Sequence, residues 1–453
     1  MLKPPPPTGL PADAPLSFED LEGYFRSGSK PRAGFKIGIE QEKIAVLPDG
    51  RAVPYDGPGG LAEVLGRLEG RGFSATREDG HVIALARAGD RITMEPGGQF
   101  ELSGGALATA VDCATALDAH VREVAEVARP LGLRFIGTGV RPFGALEDVA
   151  WLPKRRYVVM REYFPRHGRQ SRLAHEMMKL TATVQANFDY ADEAEAVDKI
   201  RTAYGVTSIV TGLYAASPVV FGRASGFKSY RAAVWLETDA DRCGLLPFVF
   251  KPEFRFRDYV EWALDVPMFF VVRDGAYRPA HALTFRRFLA EGWEGQQATM
   301  ADWEVHLSTV FPEVRLKRYI EVRGADAGPM PMARGLGALW RGILEDAEAR
   351  RAAYELVADR TFAEREALRR EVPRAGLGAS FGGRPLRTLA LELCRISAAG
   401  LGRLPSGAAD RTLLDPLIAY AEAGRSPADD LLDDFAAERG DPAALSRRWE
   451  LRP

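Results

Sequence analysis

Apolar residues recur along the chain at two spacings, about 3.6 and about 2 residues, and these divide it into helices and strands. Phe18, Leu21, Tyr24 and Phe25 share one helical face, behind a start at Ser17 where Asp20 completes a capping-box pattern. Residues 35–46 read as a strand, 61–72 as a helix, and 80–103 as a hairpin or meander ending in a glycine-rich turn. Leu107, Val111, Ala114, Leu117, Val121 and Val124 predict an amphipathic helix over 107–129, ended by Pro130 and followed by a strand at 133–137. Strands and helices mix over 151–330. Beyond that, Ala-, Leu-, Arg- and Glu-rich stretches at helical spacing fill 333–372, 386–400, 410–424 and 427–437, with Gly/Pro breaks between them. The class is α+β, a mostly antiparallel sheet with helices around it. The expected division is a proline-rich lead-in at 1–15, a core at 16–330 and a helical C-terminal region at 331–453 packed on that core.

Four segments read as interior strands yet carry polar residues at every second position, which places those residues on one face. In Gly38-Ile39-Glu40-Gln41-Glu42-Lys43-Ile44 the face holds Glu40 and Glu42. In Met94-Glu95-Pro96-Gly97-Gly98-Gln99-Phe100-Glu101-Leu102-Ser103 it holds Gln99, Glu101 and Ser103, and the Pro-Gly-Gly turn lets backbone come close to a ligand. Thr181, Thr183, Gln185, Asn187 and Asp189 alternate with Ala, Val, Ala and Phe, and Tyr319, Glu321 and Arg323 alternate with Ile320 and Val322. Each segment alone also fits a solvated or salt-bridged surface strand. Together they describe a sheet with one face on the core and one lining a polar cavity that holds Glu40, Glu42, Glu95, Glu101, Glu321, Gln185 and Arg323. So many carboxylates require hard cations with oxygen ligands, Mg²⁺ by default, whose remaining positions suit phosphate oxygens. The cavity reads as an ATP-phosphate site without a P-loop, since no GxxxxGK[ST] sequence occurs.

Bulk numbers remove other classes. With 453 residues, 46% hydrophobic and 27% charged, the chain can bury one large core or two moderate ones. A net charge of −2 gives no field for nucleic acid or anionic membrane, and no basic stripe with interleaved aromatics appears. Cys113, Cys243 and Cys394 are far apart with no CxxC, which excludes a disulfide framework and fits a reducing cytoplasm. The start of the chain lacks the apolar stretch of a signal peptide, and no run approaches the roughly 18 residues of a membrane span.

The same segments resemble a known family. Gly38-Ile39-Glu40-Gln41-Glu42-Lys43 is similar to its Gly-x-Glu-x-Glu-Lys opening, and Met94 to Gly104 to its most distinctive motif. Pro153-Lys154-Arg155-Arg156-Tyr157, Thr181 to Asn187, Ser229-Tyr230-Arg231 with Trp235, Thr238 to Gly244 leading into Leu246-Pro247-Phe248, and Phe311 to Asp326 follow in order. This resembles glutamate–cysteine ligases of the plant and proteobacterial type. The resemblance implies a glutamine-synthetase-like fold, a curved antiparallel sheet forming a funnel. It implies ATP as co-substrate and Mg²⁺, or Mn²⁺ in its place, on Glu40, Glu42, Glu95, Glu101, Gln185 and Glu321. Arg323 would act on the transferred phosphoryl group, with Glu42 and Glu101 as catalytic carboxylates. Lys154, Gln185 and Arg323 would contact ATP, and Arg156, Thr183, Arg231 and Trp235 would bind glutamate. Partners are small molecules, on a monomer or homodimer. A related carboxylate–amine ligase with another amine acceptor is the alternative. Gln41 departs from a common His, Ile44-Ala45-Val46 from Phe-Gly-Phe, and Met330 from the Trp often found after Gly-Pro. Cys243 is expected to pack rather than react.

Overall fold

The computed structural model describes residues 16–453, and the expected lead-in lies outside them. Ser17 caps helix α1 (Phe18–Arg26) in a capping box with Asp20. Two more helices follow the apolar periodicity, α2 (Leu61–Glu69) and α3 (Ala110–Ala128), the latter capped by Thr109.

Nine strands build one sheet: β1 (Ile37–Val46), β2 (Ser74–Glu78), β3 (His81–Arg87), β4 (Asp90–Met94), β5 (Phe100–Ser103), β6 (Arg134–Ile136), β7 (Thr183–Phe188), β8 (Val314–Leu316) and β9 (Ile320–Asp326). Their order is β8-β9-β7-β1-β5-β4-β3-β2, with β6 pairing the far end of β1, and every pairing is antiparallel. β1 is therefore central, which removes the solvated-edge reading of Glu40 and Glu42. Strand β2 escaped the sequence reading because Ser-Ala-Thr-Arg-Glu has no apolar alternation and is half exposed.

One face of the sheet packs on helices. Ile37, Ile39, Leu102, Val184, Ala186 and Phe188 share a buried cluster with the helices Met330–Leu344 and Leu386–Arg403, so the C-terminal helices complete the core of the sheet. The expected 333–372 stretch is three helices, broken where Asp346 and Thr361 cap new starts. Two departures from the family pattern meet on this core side: the Gln41 amide lies 3.3 Å from Met330 Sδ. They face away from the cavity. Lys43 also points to the core side, its ammonium 3.0 Å from His120 Nε2 and fully buried. Among the described residues no helix is long and apolar enough to cross a membrane.

The turn between β4 and β5 corrects one expectation. A Cβ on Gly97 would lie 2.1 Å from the Lys179 carbonyl oxygen, so glycine there admits neighbouring backbone rather than a ligand. Gln99 fastens the same turn, donating to the carbonyls of Met178 (3.1 Å) and Thr181 (2.8 Å) while accepting from Gly97 N–H at 2.9 Å.

Candidate active site

The other face of the sheet lines a cavity of about 2290 Å³, its open mouth included. Strand pairing gathers the acidic wall. Glu42 sits directly opposite Glu101 across β1 and β5, and Glu40 opposite Gln185 across β1 and β7. Glu95, at the end of β4, joins them. Like charges directly opposite one another on a sheet repel, and burial adds to the cost. Burial, then the Glu321 and Glu101 charges, push the Glu40 carboxyl up to about 7. Burial and Glu95 raise both Glu42 and Glu101. Few hydrogen bonds soften this. Asn187 and Gln185 donate to Glu40 at 2.8 and 3.2 Å, Thr183 N–H to Glu42 at 3.0 Å, and Ser103 to Glu101 at 3.2 Å. Thr93 also donates to Glu101.

This all-oxygen donor set suits a hard divalent cation. Among the described residues no three His, Cys, Asp or Glu side chains form a ready-made cage. Mg²⁺, a hard divalent cation, is usually held by one or two carboxylates with waters and phosphate oxygens. The raised carboxyls give a testable sign. The unfolded chain loses these protons near 4.5, whereas the native Glu40 holds its own to about 7. Between those values rising pH therefore weakens the metal-free fold. Thermal melts of metal-free protein are expected to fall over that range. Millimolar Mg²⁺ should restore the melting temperature most at the upper end and release protons on binding.

Glu321 stands apart. It is fully buried and absent from the cavity wall. Arg315, opposite it across the β8–β9 pairing, holds it with donors at 2.8 and 2.9 Å, Arg323 pairs with it, and Lys317 lies 3.5 Å away. Despite burial, these charges, Arg315 first, hold its carboxyl well below the usual range. Arg315 and Lys317 were not legible as site residues, because only the strand register brings them to Glu321.

The opposite wall is cationic. Arg323 sits where β9 bulges between Val322 and Ala325, and donates to Gln185 Oε1 at 2.6 Å. Helix α4 (Arg155–His167) brings Arg155 and Arg156 to the cavity lining, Arg155 paired with Asp79. Arg156 forms no ion pair among the described residues, and its Nε is buried without a partner. Lys154 lies beside the Tyr157 ring, 5.1 Å from its centre. Helix α5 (Tyr230–Leu236) carries Arg231 and Trp235, and the Trp235 Nε1 donor is also buried and unpartnered. Thr183 lines the cavity, but its hydroxyl is committed to the Ala325 carbonyl at 2.7 Å.

Asp326 organises this wall and was missed as a functional residue. It is buried, and accepts from Ala216 N–H (2.9 Å), Ser217 Oγ (2.6 Å) and Ser229 Oγ (2.8 Å). The Arg231 guanidinium lies 3.8 Å away, and Ser217 Oγ accepts from Arg231 N–H. Ser229 also caps α5, so one carboxylate fixes both the helix start and its arginine. Gly139 leaves the room, since a Cβ there would come 2.5 Å from Asp326. Removing one partner of a buried pair costs several kcal/mol. Asp326→Asn is expected to lose about 3 kcal/mol, read by urea unfolding.

The family model of glutamate-cysteine ligase family 2 (GCS2) matches residues 36–447. The chain is 39% identical over 442 residues to the chloroplastic glutamate–cysteine ligase of Brassica juncea, covering 96% of this chain and 84% of that one. It is 39% identical over 435 residues to the chloroplastic glutamate–cysteine ligase B of Oryza sativa subsp. japonica, covering 95% and 86%. Its fold is similar to that of the glutamate–cysteine ligase of Francisella tularensis, solved with AMP, at a TM-score of 0.57 and 13% identity over 91% of this chain and 88% of that one. That likeness is one of fold. With the family match covering most of its length, the chain belongs to glutamate-cysteine ligase family 2.

Proposed function

We propose that the protein joins the γ-carboxylate of L-glutamate to the amine of L-cysteine at the expense of ATP, giving γ-glutamylcysteine, ADP and phosphate, the first step of glutathione synthesis. One observation carries this reading: a single cavity with a carboxylate wall at Glu40, Glu42, Glu95 and Glu101 facing a guanidinium wall at Arg156, Arg231 and Arg323. A carboxylate wall alone suits metal and nucleotide. A guanidinium wall alone suits carboxylates. Their meeting suits a reaction between two anions.

Glu40, Glu42, Glu95, Glu101, Gln185 and Glu321 would hold Mg²⁺, or Mn²⁺ in its place. The metal, when bound, would neutralise phosphate charge. Lys154, Gln185 and Arg323 would contact ATP. Arg156 and Arg231 would hold the glutamate carboxylates through the guanidinium fork, with Thr183 and the Trp235 donor beside them. The γ-carboxylate oxygen attacks the γ-phosphorus, and the bond to the bridging oxygen breaks, its electron pair leaving with ADP. Arg323 offsets charge on the transferring phosphoryl oxygens. The cysteine nitrogen then attacks the acyl carbon, phosphate leaves, and the nitrogen gives up a proton. No side chain acts as a nucleophile in this scheme. The Cys243 thiol, raised by burial, fits that absence. We place the reaction in a reducing compartment, the cytoplasm, a reading supported by three free cysteines.

Hydroxylamine traps acyl phosphates, so ATP, Mg²⁺, glutamate and hydroxylamine are expected to give γ-glutamyl hydroxamate. Its absence, with ATP still hydrolysed, would reject the acyl-phosphate route. An amine-acceptor screen decides between cysteine and another acceptor.

A further inference from the structure

Arg242 is fully buried, yet it does not line the cavity. Its guanidinium reaches four separate segments, donating to Asp239 Oδ2 (2.7 Å), the Thr309 carbonyl (3.1 Å), the Tyr163 hydroxyl (2.9 Å) and the Pro267 carbonyl (2.8 Å). It also lies 4.0 Å from the centre of the Phe269 ring and 5.0 Å from that of Tyr163. Neither side chain of the Arg242–Asp239 pair is exposed. Such a pair adds little stability over an apolar packing, and its best-attested use is to fix register. Arg156, by contrast, has no fixings of its own. It forms no ion pair among the described residues, and its Nε is buried without a partner. Its place is inherited from two supports. One is α4, where Arg156 and Tyr163 stand two turns apart on one face. The other is Phe270, whose ring centre lies 5.8 Å from the Arg156 guanidinium. Arg242 holds both supports, α4 through Tyr163, and the start of the strand Phe270–Arg273 through Pro267 and Phe269. Arg231 needs no such help, since Asp326 anchors it separately.

We propose that Arg242 is a positioning residue for Arg156: it sets where that guanidinium stands in the cavity without touching the substrate. A planar fork that spans these acceptors admits one placement of α4 against the strand Phe270–Arg273. An ammonium is a point donor and satisfies only part of the set, which frees α4 to shift. A small shift of α4 moves Arg156 off the carboxylate it holds. The acidic wall stays in place, because the sheet carries it. This inference rests on the ligase reading above, with Arg156 as a glutamate ligand, and adds to it the residue that places that ligand.

Steady-state kinetics of the full-length enzyme test this, with ADP release as the readout. Loss of folded protein lowers apparent kcat and leaves each KM unchanged, so the KM values separate positioning from instability. Arg242→Lys is expected to raise KM for glutamate about tenfold, with KM for ATP within about twofold of the parent. Arg156→Met is expected to raise KM for glutamate about 10²-fold. In that background Arg242→Lys is expected to add less than about twofold, because the group it places is gone. Tyr163→Phe cuts only the tie to α4 and is expected to raise KM for glutamate about threefold, again only while Arg156 is present. It decides the matter if Arg242→Lys yields no folded enzyme. An unchanged glutamate KM, an equal rise in KM for ATP, or a full effect persisting without Arg156 would overturn the proposal. If Arg156→Met itself leaves the glutamate KM unchanged, or the unaltered enzyme forms no hydroxamate, the ligase reading fails instead.

Discussion

Replacing Arg323 with Met is expected to lower kcat by about 10³-fold or more while KM for ATP changes little, because an arginine on a transferring phosphoryl group is worth that much to the transition state. The structure gives the reason for its strength. Arg323 stands at a bulge in β9, ion-paired with the fully buried Glu321 and donating to Gln185, so its position needs no reorganisation when charge develops. Arg315 and Lys317 keep Glu321 ionised and thereby keep the Arg323 counter-charge in place. Arg323→Lys is expected to recover only a small part of the loss, since an ammonium cannot span two oxygens as a planar fork does. Steady-state kinetics with varied ATP check both variants. An Arg323→Met enzyme with kcat within threefold of the parent would remove the arginine from the chemical step.

The second large effect carries opposite signs for activity and stability. If Glu101 holds the metal as proposed, Glu101→Gln is expected to lower activity about 10²- to 10³-fold. The same change is expected to stabilise the metal-free protein. Glu42 faces Glu101 directly across the strand pair, and Glu95 adds a third charge that raises both carboxyls. Removing one of three repelling carboxylates relieves about 1 kcal/mol, a melting shift of roughly 1–2 °C in a chain of this size. Above pH 7 and without Mg²⁺ the variant is expected to melt higher than the parent; with Mg²⁺ the order reverses. A variant that melts lower than the parent without metal would show that Glu101 is a structural carboxylate. Strain of this kind, held for function, is common in catalytic sites.

The cavity was legible in the sequence where a strand period of two coincides with a buried face. Ile37 and Ile39 against Glu40 and Glu42, and Val184 and Ala186 against Thr183 and Gln185, could be sorted to two faces without any pairing partner. What could not be read depends on pairing. Glu42 opposite Glu101, and Arg315 opposite Glu321, exist only once the register is set. Asp326 read as the end of a motif, because its partners Ser217 and Ser229 lie about a hundred residues away along the chain. Gly97 was read for a ligand, and the structure gives its space to Lys179 backbone. Alternation and the family resemblance both group Glu321 with the metal carboxylates. Its three cationic neighbours, two of them on β8 and the turn after it, come from the fold and not from its own alternation.

The central claim, that the two walls of this cavity join glutamate to cysteine, is tested most directly by ADP release. The protein is mixed with ATP, Mg²⁺ and glutamate, with and without cysteine, and the products are weighed by mass spectrometry. The account predicts cysteine-stimulated ADP release, matched one for one by γ-glutamylcysteine and lost when Mg²⁺ is chelated. ADP release that ignores cysteine, with no γ-glutamylcysteine formed, would contradict it.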